Sequence, residues 1–342
     1  MNKKNVLHVL DLLEPGGAQI LMKGIFEHQA DDETIFLLSL RKIDVEIEVQ
    51  HPNCIQSNAK QKYSVSSIKE FKQVIENNNI QIVHCHLFKS QIFGWLLKKM
   101  YFPNITLIFH EHGQIFHNDF LTNQIFTRFL KRTHSDIDGF IAITDATKYK
   151  LMGRAKVPAH KIKRLYNFIN VEKFTPNLNV NKETERKKFN IKQDAFVVGF
   201  AARLIERKGW EDFVYAAKLL ENHSNIQFLV AGDGEDKEKM LAVLQKNNIE
   251  NVEVLGYVRD MKAFYAAIDC FVIPSHWEPM GLTELEAQAM EVPVVASNVE
   301  GLNEVVKHNE NCLLFDARNR KHLAEQIEKM YQNQTLRNKL VA

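Results

Sequence analysis

The chain has 342 residues, more than one hydrophobic core usually serves, so we expect two domains. Hydrophobic residues make up 45% of the chain, enough for real cores, and no run of 18 apolar residues occurs that would predict a membrane-spanning helix. Residues 1–170 hold 22 basic and 16 acidic residues, whereas residues 171–342 hold 22 and 26. This balance gives no reason to expect nucleic-acid binding, and the basic first half suits an anionic surface or substrate.

Short apolar strands alternate with helical segments along the whole chain. The first strand follows a short polar start, which we interpret as the entry to a sheet rather than a signal peptide. The alternation predicts an α/β fold of parallel sheets covered on both faces. The strands are predicted near residues 5–11, 34–40, 81–85, 105–109, 138–143 and 162–166, and near 196–201, 226–231, 252–255, 269–273, 293–296 and 312–315.

Residues 170–195 break this pattern, because they hold a proline, several asparagines and the charged run Lys182–Lys188. We therefore predict a first domain at 1–168, a linker at 169–195 and a second domain at 196–342. Doubly wound, Rossmann-like domains bind ligands at the carboxyl ends of their strands, and we expect those ends to face each other across a cleft.

The four cysteines are scattered, and no Cys-x-x-Cys pair occurs. Cys85, Cys270 and Cys312 lie in or beside apolar strands, where a small buried thiol is usual. Together with Cys54 they predict a reducing cytoplasm and no disulfide framework.

The most informative segment, residues 275–287, holds Glu278 and Glu286 with seven residues between them. It follows an apolar strand and leads into a helix, with Gly281 at the turn. Such a turn aims backbone N–H groups at an anion, and ionised carboxylates accept hydrogen bonds from hydroxyls. Phosphate together with sugar hydroxyls is the chemistry of a nucleotide-sugar.

Two plainer interpretations stay open at this segment. Thr283 and Glu286 also fit a capping box that starts a helix. Glu278 taken alone fits a solvated loop residue.

Two cations follow the first strand of the second half. Arg203 and Lys208 lie between that strand and a helix that Gly209 opens, where they can neutralise a diphosphate, arginine as a fork and lysine as a point charge. Taken alone, each of these two residues is also consistent with an ordinary charged side chain on the solvated surface. We expect Arg207, in the same loop, to be exposed to solvent.

Two further patterns raise the question of a metal. Asp136 and Asp138 form an Asp-x-Asp, but they precede a strand without other support, so we interpret them as a helix-to-strand connection. Two His-x-His pairs at strand ends are a weak zinc signal without a nearby cysteine or an His-Glu-x-x-His helix. The histidines in question are His84, His86, His110, His112 and His117.

The motifs together resemble those of the family 4 (group 1) retaining glycosyltransferases, over nearly the full length of the chain. The resemblance rests on the spacing of Glu278 and Glu286 and on the pattern Arg203-x4-Lys208-Gly209. It implies the GT-B fold and transfer of a sugar from a nucleotide-diphosphate-sugar to an acceptor hydroxyl, with retention at the anomeric carbon.

The resemblance also implies a role for each motif residue. Arg203 and Lys208 stabilise the departing diphosphate, Glu278 holds the donor sugar, and Glu286 holds the ribose hydroxyls. His112 orients the reacting sugar. Further donor contacts, largely through the backbone, are implied at Gly16, Gly17, Gly232, Tyr257, Val258, Met280, Gly281 and Leu282.

No cofactor and no metal are implied, because lysine and arginine supply the positive charge at the diphosphate. The resemblance favours a UDP-sugar over a GDP-sugar as donor. It also favours a saccharide or lipid-linked acceptor in cell-envelope polysaccharide, lipopolysaccharide or glycolipid assembly in the cytoplasm. Two alternatives stay open: a sugar-nucleotide epimerase on the same scaffold, and a non-catalytic sugar-nucleotide binding module.

Basic and aromatic residues are interleaved at 95–102 and 121–134. They fit a surface that would attach the protein weakly to anionic lipid on the inner face of the membrane. The plainer interpretation is half-buried helices with a solvated face.

The chain departs from the family pattern in four places. Gln19 stands where glutamate is common, Phe168 follows Asn167 where glycine is usual, and Glu291 replaces a glycine. The resemblance also implies a final helix that crosses back onto the first domain, which the sequence beyond the helix predicted near 319–333 does not reach.

Overall fold

The structure is a computed structural model that describes residues 3–29, 31–43, 47–59, 61, 64–113, 120–176 and 181–342. The chain divides into two compact units, Met1–Phe168 and Ile169–Ala342. Each unit contains a parallel sheet with helices, so both are Rossmann-like α/β domains and the predicted fold class is confirmed.

The first unit contains a seven-stranded sheet in the order β3-β2-β1-β4-β5-β6-β7. The order reverses between β1 and β4, and loops at such a reversal diverge to opposite faces and leave a ligand crevice. Its strands are β1 (Val6–Leu10), β2 (Ile35–Ser39), β3 (Cys54–Gln56), β4 (Ile82–Cys85), β5 (Thr106–Glu111), β6 (Gly139–Ala142) and β7 (Ile162–Arg164). Its helices are α1 (Gly17–His28), α2 (Val65–Asn77), α3 (Phe88–Met100), α4 (Phe120–Thr133) and α5 (Asp145–Ala155).

The second unit contains a six-stranded sheet in the order β10-β9-β8-β11-β12-β13, which reverses between β8 and β11. Its strands are β8 (Phe196–Ala201), β9 (Ile226–Ala231), β10 (Val252–Gly256), β11 (Cys270–Ile273), β12 (Val294–Ser297) and β13 (Cys312–Phe315). Its helices are α6 (Lys182–Lys188), α7 (Trp210–Leu219), α8 (Lys237–Lys246), α9 (Met261–Ala267), α10 (Thr283–Ala289), α11 (Arg320–Gln332) and α12 (Gln334–Val341).

The strands β8, β11 and β12 of the second sheet are buried on both faces, as their largely apolar sequences predict. Along β8, Val198 and Phe200 join one hydrophobic cluster, whereas Val197 and Ala201 join the other. Both clusters are hydrophobic cores, so the backbone of this unit holds the loops at the strand ends on a rigid base.

All twelve predicted strands are present, and the structure adds β3, a three-residue edge strand that carries Cys54. Its three residues are half-buried and end in a glutamine, so no apolar run marks it in the sequence. Within the segment predicted as a linker, α6 belongs to the second unit, where the guanidinium of Arg186 donates to the carbonyl of Ala267 at 3.0 Å and pairs with Asp269.

The four cysteines, all within the described residues, form no disulfide. Among the described residues, no helix combines the length and the apolar character needed to cross a bilayer.

Candidate functional site

The site of the second unit is built from two loops at the reversal of strand order. They are the β8 loop, residues 202–209, and the β11 loop, residues 274–282. Gly209 ends the first loop in a left-handed conformation (φ +71°), and a Cβ there would lie 1.9 Å from the carbonyl oxygen of Pro274. Only glycine therefore lets the two loops approach this closely.

Lys208 and Glu278 form a salt bridge between these loops. Glu278 is only 6% exposed, and the hydroxyl of Ser275 also donates to its carboxylate at 3.2 Å. Burial raises the pKa of Glu278, but the charges of Lys208 and Arg207 and the two hydrogen bonds outweigh it and hold that pKa below its ordinary value. Glu278 is therefore an ionised, buried acceptor at neutral pH.

The β11 loop is fixed from behind by a buried polar network. The hydroxyl of Ser297 donates to the carbonyl of Ser275 at 2.6 Å. His276 Nε2 lies 2.8 Å from Asp212 Oδ2, and Arg320 Nε donates to the other oxygen of Asp212 at 3.0 Å. These contacts hold the loop that carries Glu278 in one conformation.

The expected exposure of Arg207 is wrong. Its guanidinium lies 4.5 Å from the ring centre of Trp277 in the β11 loop, and its Nη1 is buried. Arg203 is the exposed arginine of the β8 loop. A flat guanidinium packs readily on an indole face, but that ring comes from a segment 70 residues away, so local sequence gives no sign of it.

The capping-box interpretation of Thr283 and Glu286 is also wrong. Leu282 precedes α10, and no side chain caps the helix. Instead, the hydroxyl of Tyr265 donates to the carboxylate of Glu286 at 2.9 Å. Burial raises the pKa of Glu286 to about 7, so this carboxyl titrates near neutral pH.

Glu284 is a third buried carboxyl of this region, and the sequence motifs did not indicate it. It is fully buried, and neither of its oxygens has a hydrogen-bond partner of good geometry among the described residues. A Cβ on Gly281 would lie 2.1 Å from its Oε2. Burial raises the pKa of Glu284 to about 8; the charges of Glu278 and Glu286 also raise it, whereas its own N–H and Lys208 lower it by less than burial raises it.

The other predicted donor contacts lie around the same edge of the second sheet. The N–H of Gly232 donates to the carbonyl of Gly256 at 2.7 Å, and a Cβ on Gly232 would lie 2.0 Å from the carbonyl of Ala202. Glycine is thus required here for packing, whatever else it does. Tyr257 is 62% exposed and Val258 is half-buried. Met280 and Leu282 are buried on either side of Gly281.

In the first unit, Gly16 and Gly17 open α1 directly after the loop that follows β1. Gln19 turns back and donates from its amide to the carbonyl of Leu12 at 3.2 Å, and it is buried. A Cβ on Gly16 would lie 2.7 Å from the amide oxygen of Gln19. The glutamine in place of glutamate therefore braces the glycine turn.

Five histidines of the first unit lie ring against ring across β1, β4 and β5. His86 links two of them, with its Nε2 3.0 Å from His8 Nδ1 and its Nδ1 3.0 Å from His112 Nε2. Burial lowers the pKa of His112 to about 3, so it is a neutral imidazole at ordinary pH. His84 and His110 complete the cluster, and His117 lies outside the described residues.

The Asp-x-Asp connects α4 to β6, as its interpretation as a connection predicts. Asp136 accepts from the indole N–H of Trp95 at 2.9 Å and pairs with Lys99 at 3.1 Å. Asp138 pairs with Lys98 and accepts the N–H of Leu107 at 2.6 Å. Both carboxylates are therefore engaged in local structural contacts.

Two family models match the chain. "Glycosyl transferases group 1" matches residues 181–342, and "Glycosyltransferase Family 4" matches residues 27–173. The chain belongs to the family 4, group 1 glycosyltransferases. This confirms the resemblance stated from the motifs.

Similar proteins are named as sugar transferases, and one of them is named for capsular polysaccharide biosynthesis. The capsular polysaccharide biosynthesis glycosyltransferase CapM of Staphylococcus aureus is 31% identical over 207 residues, which are 58% of this chain and 53% of CapM. The UDP-Gal:alpha-D-GlcNAc-diphosphoundecaprenol alpha-1,3-galactosyltransferase of Escherichia coli is 28% identical over 273 residues, 74% of this chain and 68% of the relative. The match to CapM thus spans about half of that protein.

Solved structures share the fold at low sequence identity. Anabaena Alr3699/HepE in complex with UDP and glucose superposes with a TM-score of 0.86 at 19% identity, over 99% of this chain and 93% of HepE. Sucrose-phosphate synthase from Thermosynechococcus elongatus gives 0.81 at 19% identity, over 99% and 92%. The two Rossmann-like domains are those of the GT-B fold.

The unpartnered carboxyl of Glu284 generates a pH prediction. Because its pKa rises from 4.5 to about 8 on folding, the folded chain keeps a proton that the unfolded chain loses, so this group lowers stability as the pH rises from about 4.5 to 8. Glu284→Gln stays neutral. Relative to wild type, it should therefore gain stability between pH 5.5 and pH 8.5, by on the order of a few kcal/mol at most.

Denaturant midpoints of both proteins at the two pH values measure this difference. Glu310→Gln, at an exposed position, is the matched control and should follow wild type at both. Parallel pH curves for wild type and Glu284→Gln would show that Glu284 is not held as a neutral acid.

Proposed function

We propose that this chain transfers a sugar from a nucleotide-diphosphate-sugar to an acceptor hydroxyl with retention at the anomeric carbon. The observation that carries the proposal is the salt bridge between Lys208 and the buried Glu278, which joins the two loops at the reversal of strand order. At that place one cation and one ionised acceptor can meet the phosphate and the hydroxyls of a single ligand.

The charge that develops on the diphosphate needs cations at the edge of the sheet. Lys208 is 19% exposed in its side chain, and Arg203 is exposed in the same loop. We assign both to the diphosphate, because preorganised charge at the leaving group lowers the barrier to its departure. Arg207 lies stacked on Trp277, where its charge helps keep Glu278 ionised.

Hydroxyl recognition falls to the two glutamates of the seven-residue spacing. Glu278 is ionised and buried, so it can accept two hydrogen bonds from the donor sugar, beside the backbone of Met280, Gly281 and Leu282. Glu286 shares one oxygen with the Tyr265 hydroxyl and keeps acceptor capacity for the ribose. His112 stays neutral, which suits contact with an uncharged sugar.

The proposed reaction is a front-face substitution. The bond from the anomeric carbon to the diphosphate oxygen breaks, the acceptor oxygen bonds on the same face, and its proton passes to a phosphate oxygen of the donor. No protein nucleophile is required in this scheme.

We infer a UDP-sugar as donor and a saccharide or lipid-linked acceptor in cell-envelope polysaccharide assembly. The donor is supported by the HepE complexes with UDP and UDP-glucose and by the UDP-Gal named in the E. coli relative. The acceptor is supported by the diphosphoundecaprenol in the E. coli relative's name and by the capsular polysaccharide biosynthesis in the name of CapM. Release of free UDP only when acceptor is present would separate transfer from epimerisation and from binding without turnover.

We also propose weak attachment to anionic membrane through the outer face of α4. Leu121 and Ile125 are exposed there with Arg128 and Arg132, at the spacing of one helix face, while Phe126 points into the core. Residues 95–102 should contribute less to membrane attachment than α4, because the lysines at 98 and 99 pair with aspartates.

The two glutamates should fail in different ways when each is replaced. Glu286→Ala should weaken UDP binding at least tenfold, since it removes a buried hydroxyl acceptor worth roughly 1.5–3 kcal/mol. Glu278→Ala should chiefly lower turnover, because it holds the reacting sugar. Calorimetric UDP titration and donor turnover measure the two effects, and Glu310→Ala is the exposed control. Wild-type activity of Glu286→Ala at low donor concentration would remove its assigned role.

Turnover should not depend on a divalent ion at the diphosphate, because Arg203 and Lys208 supply the charge. Rates with excess EDTA should equal those after addition of magnesium or manganese. If EDTA abolishes turnover and either ion restores it, the assignment of the cations is wrong and a metal must bridge the phosphates.

Binding to anionic vesicles should fall as salt rises, and should fall further when Arg128, Lys131 and Arg132 are changed to serine. Each cation near an anionic surface contributes about 1 kcal/mol, and salt screens it. Sedimentation with phosphatidylglycerol vesicles measures the effect.

The control removes the same charge from the second unit, by changing the exposed Lys187, Lys246 and Lys321 to serine. If both triple variants lose vesicle binding equally, binding depends on the net charge of the chain and not on α4. Equal sedimentation with neutral and anionic vesicles, or none with either, would point to a soluble acceptor.

A further inference from the structure

Three histidines of the first unit converge on one face of its sheet. His8 on β1 is the register partner of His84 on β4, and His86 follows two residues later, so the three side chains project from the same face. Their ring centres are 4.9, 5.3 and 4.3 Å apart in the pairs 8–84, 8–86 and 84–86. One ring nitrogen of each lies within 4.8 Å of those of the other two. We call these residues the histidine trio.

The nitrogens of the trio are incompletely satisfied by the protein. His8 Nδ1 and His86 Nε2 share one hydrogen bond at 3.0 Å. His84 Nε2 is buried and has no hydrogen-bond partner among the described residues. A buried polar atom without a partner costs roughly 1–3 kcal/mol, so a ligand that accepts its lone pair would be stabilising.

We propose that His8, His84 and His86 bind one transition-metal ion of the zinc, cobalt and nickel class through their imidazole nitrogens. Three neutral imidazoles suit these ions, whereas magnesium and calcium prefer oxygen. Metal–nitrogen bonds of about 2.0–2.1 Å place two ligand nitrogens of a tetrahedral site roughly 3.3 Å apart. Here His8 Nδ1 and His86 Nε2 are 3.0 Å apart, and the candidate nitrogens of the trio all lie within 4.8 Å of one another. Small side-chain rotations on rigid strands would close the site.

The surrounding histidines supply the outer contact that such a site needs. When His86 coordinates through Nε2, its proton resides on Nδ1, which lies 3.0 Å from His112 Nε2 and donates to it. Metal-bound histidines usually hold their second nitrogen in a hydrogen bond of this kind, which fixes the ring and its tautomer. The hydrogen that lies between His8 Nδ1 and His86 Nε2 moves, when the metal binds, to the other nitrogen of the ring that carries it. Both imidazoles therefore stay neutral.

The three ligands include none of the residues assigned to the diphosphate, the donor sugar or the ribose; His112, assigned to the reacting sugar, enters only as an outer contact of His86. Metal binding and nucleotide binding therefore succeed or fail independently, and UDP titration of the same samples keeps the two results apart.

The test uses the full chain without a polyhistidine tag, dialysed against chelator and then freed of it. Cobalt(II) chloride is titrated by visible absorption and zinc sulfate by calorimetry. We expect one ion per chain, with affinity reduced at least tenfold in His84→Gln and unchanged in His160→Ala, an exposed histidine of the same unit.

His8→Gln is the second variant, in case His84→Gln does not fold by circular dichroism, and it should lose affinity in the same way. The proposal is overturned if the wild-type chain binds neither ion. It is also overturned if His84→Gln and His8→Gln bind as well as wild type, or if His160→Ala alone abolishes binding, which would mean a surface histidine only.

Discussion

The reversal of strand order between β8 and β11 is the constraint on which the site of the second unit depends. Because these adjacent strands are parallel, both loops leave from the same edge of the sheet and lie side by side before they diverge. The approach is close enough that Gly209 and Pro274 contact through backbone atoms. The Lys208–Glu278 pair exists because of this approach, since the two residues are 70 positions apart in the sequence.

Three buried carboxyls then share one small region with unequal access to cations. Glu278 pairs with Lys208 and is ionised, whereas Glu284 forms no ion pair with any residue that the structure describes and keeps its proton. Glu286 lies between these extremes, with a tyrosine hydroxyl as its partner and a pKa near neutrality. The local charge is therefore set by which carboxyl meets a lysine, and the spacing of the glutamates alone does not reveal it.

Much of this was readable from the sequence, for identifiable reasons. Apolar runs predicted twelve strands, because strands buried on both faces tolerate few polar residues, and β3 escaped because three half-buried residues are too short to form such a run. The motif residues were found by spacing within single loops. Spacing gives no information on contacts between distant segments. The Arg207–Trp277 contact and the Tyr265–Glu286 hydrogen bond are therefore visible only in the structure.

The position of Trp277 has a practical consequence for observing this protein. Of its three tryptophans, Trp95 and Trp210 donate their indole N–H to Asp136 and Asp236, and neither belongs to the β11 loop. Of the three, only Trp277 belongs to that loop. It directly precedes Glu278, and the guanidinium of Arg207 lies over its ring. The chain thus carries an intrinsic fluorophore at its candidate donor site, and replacing the other two indoles with phenylalanine would isolate an optical signal of loop movement without any attached dye.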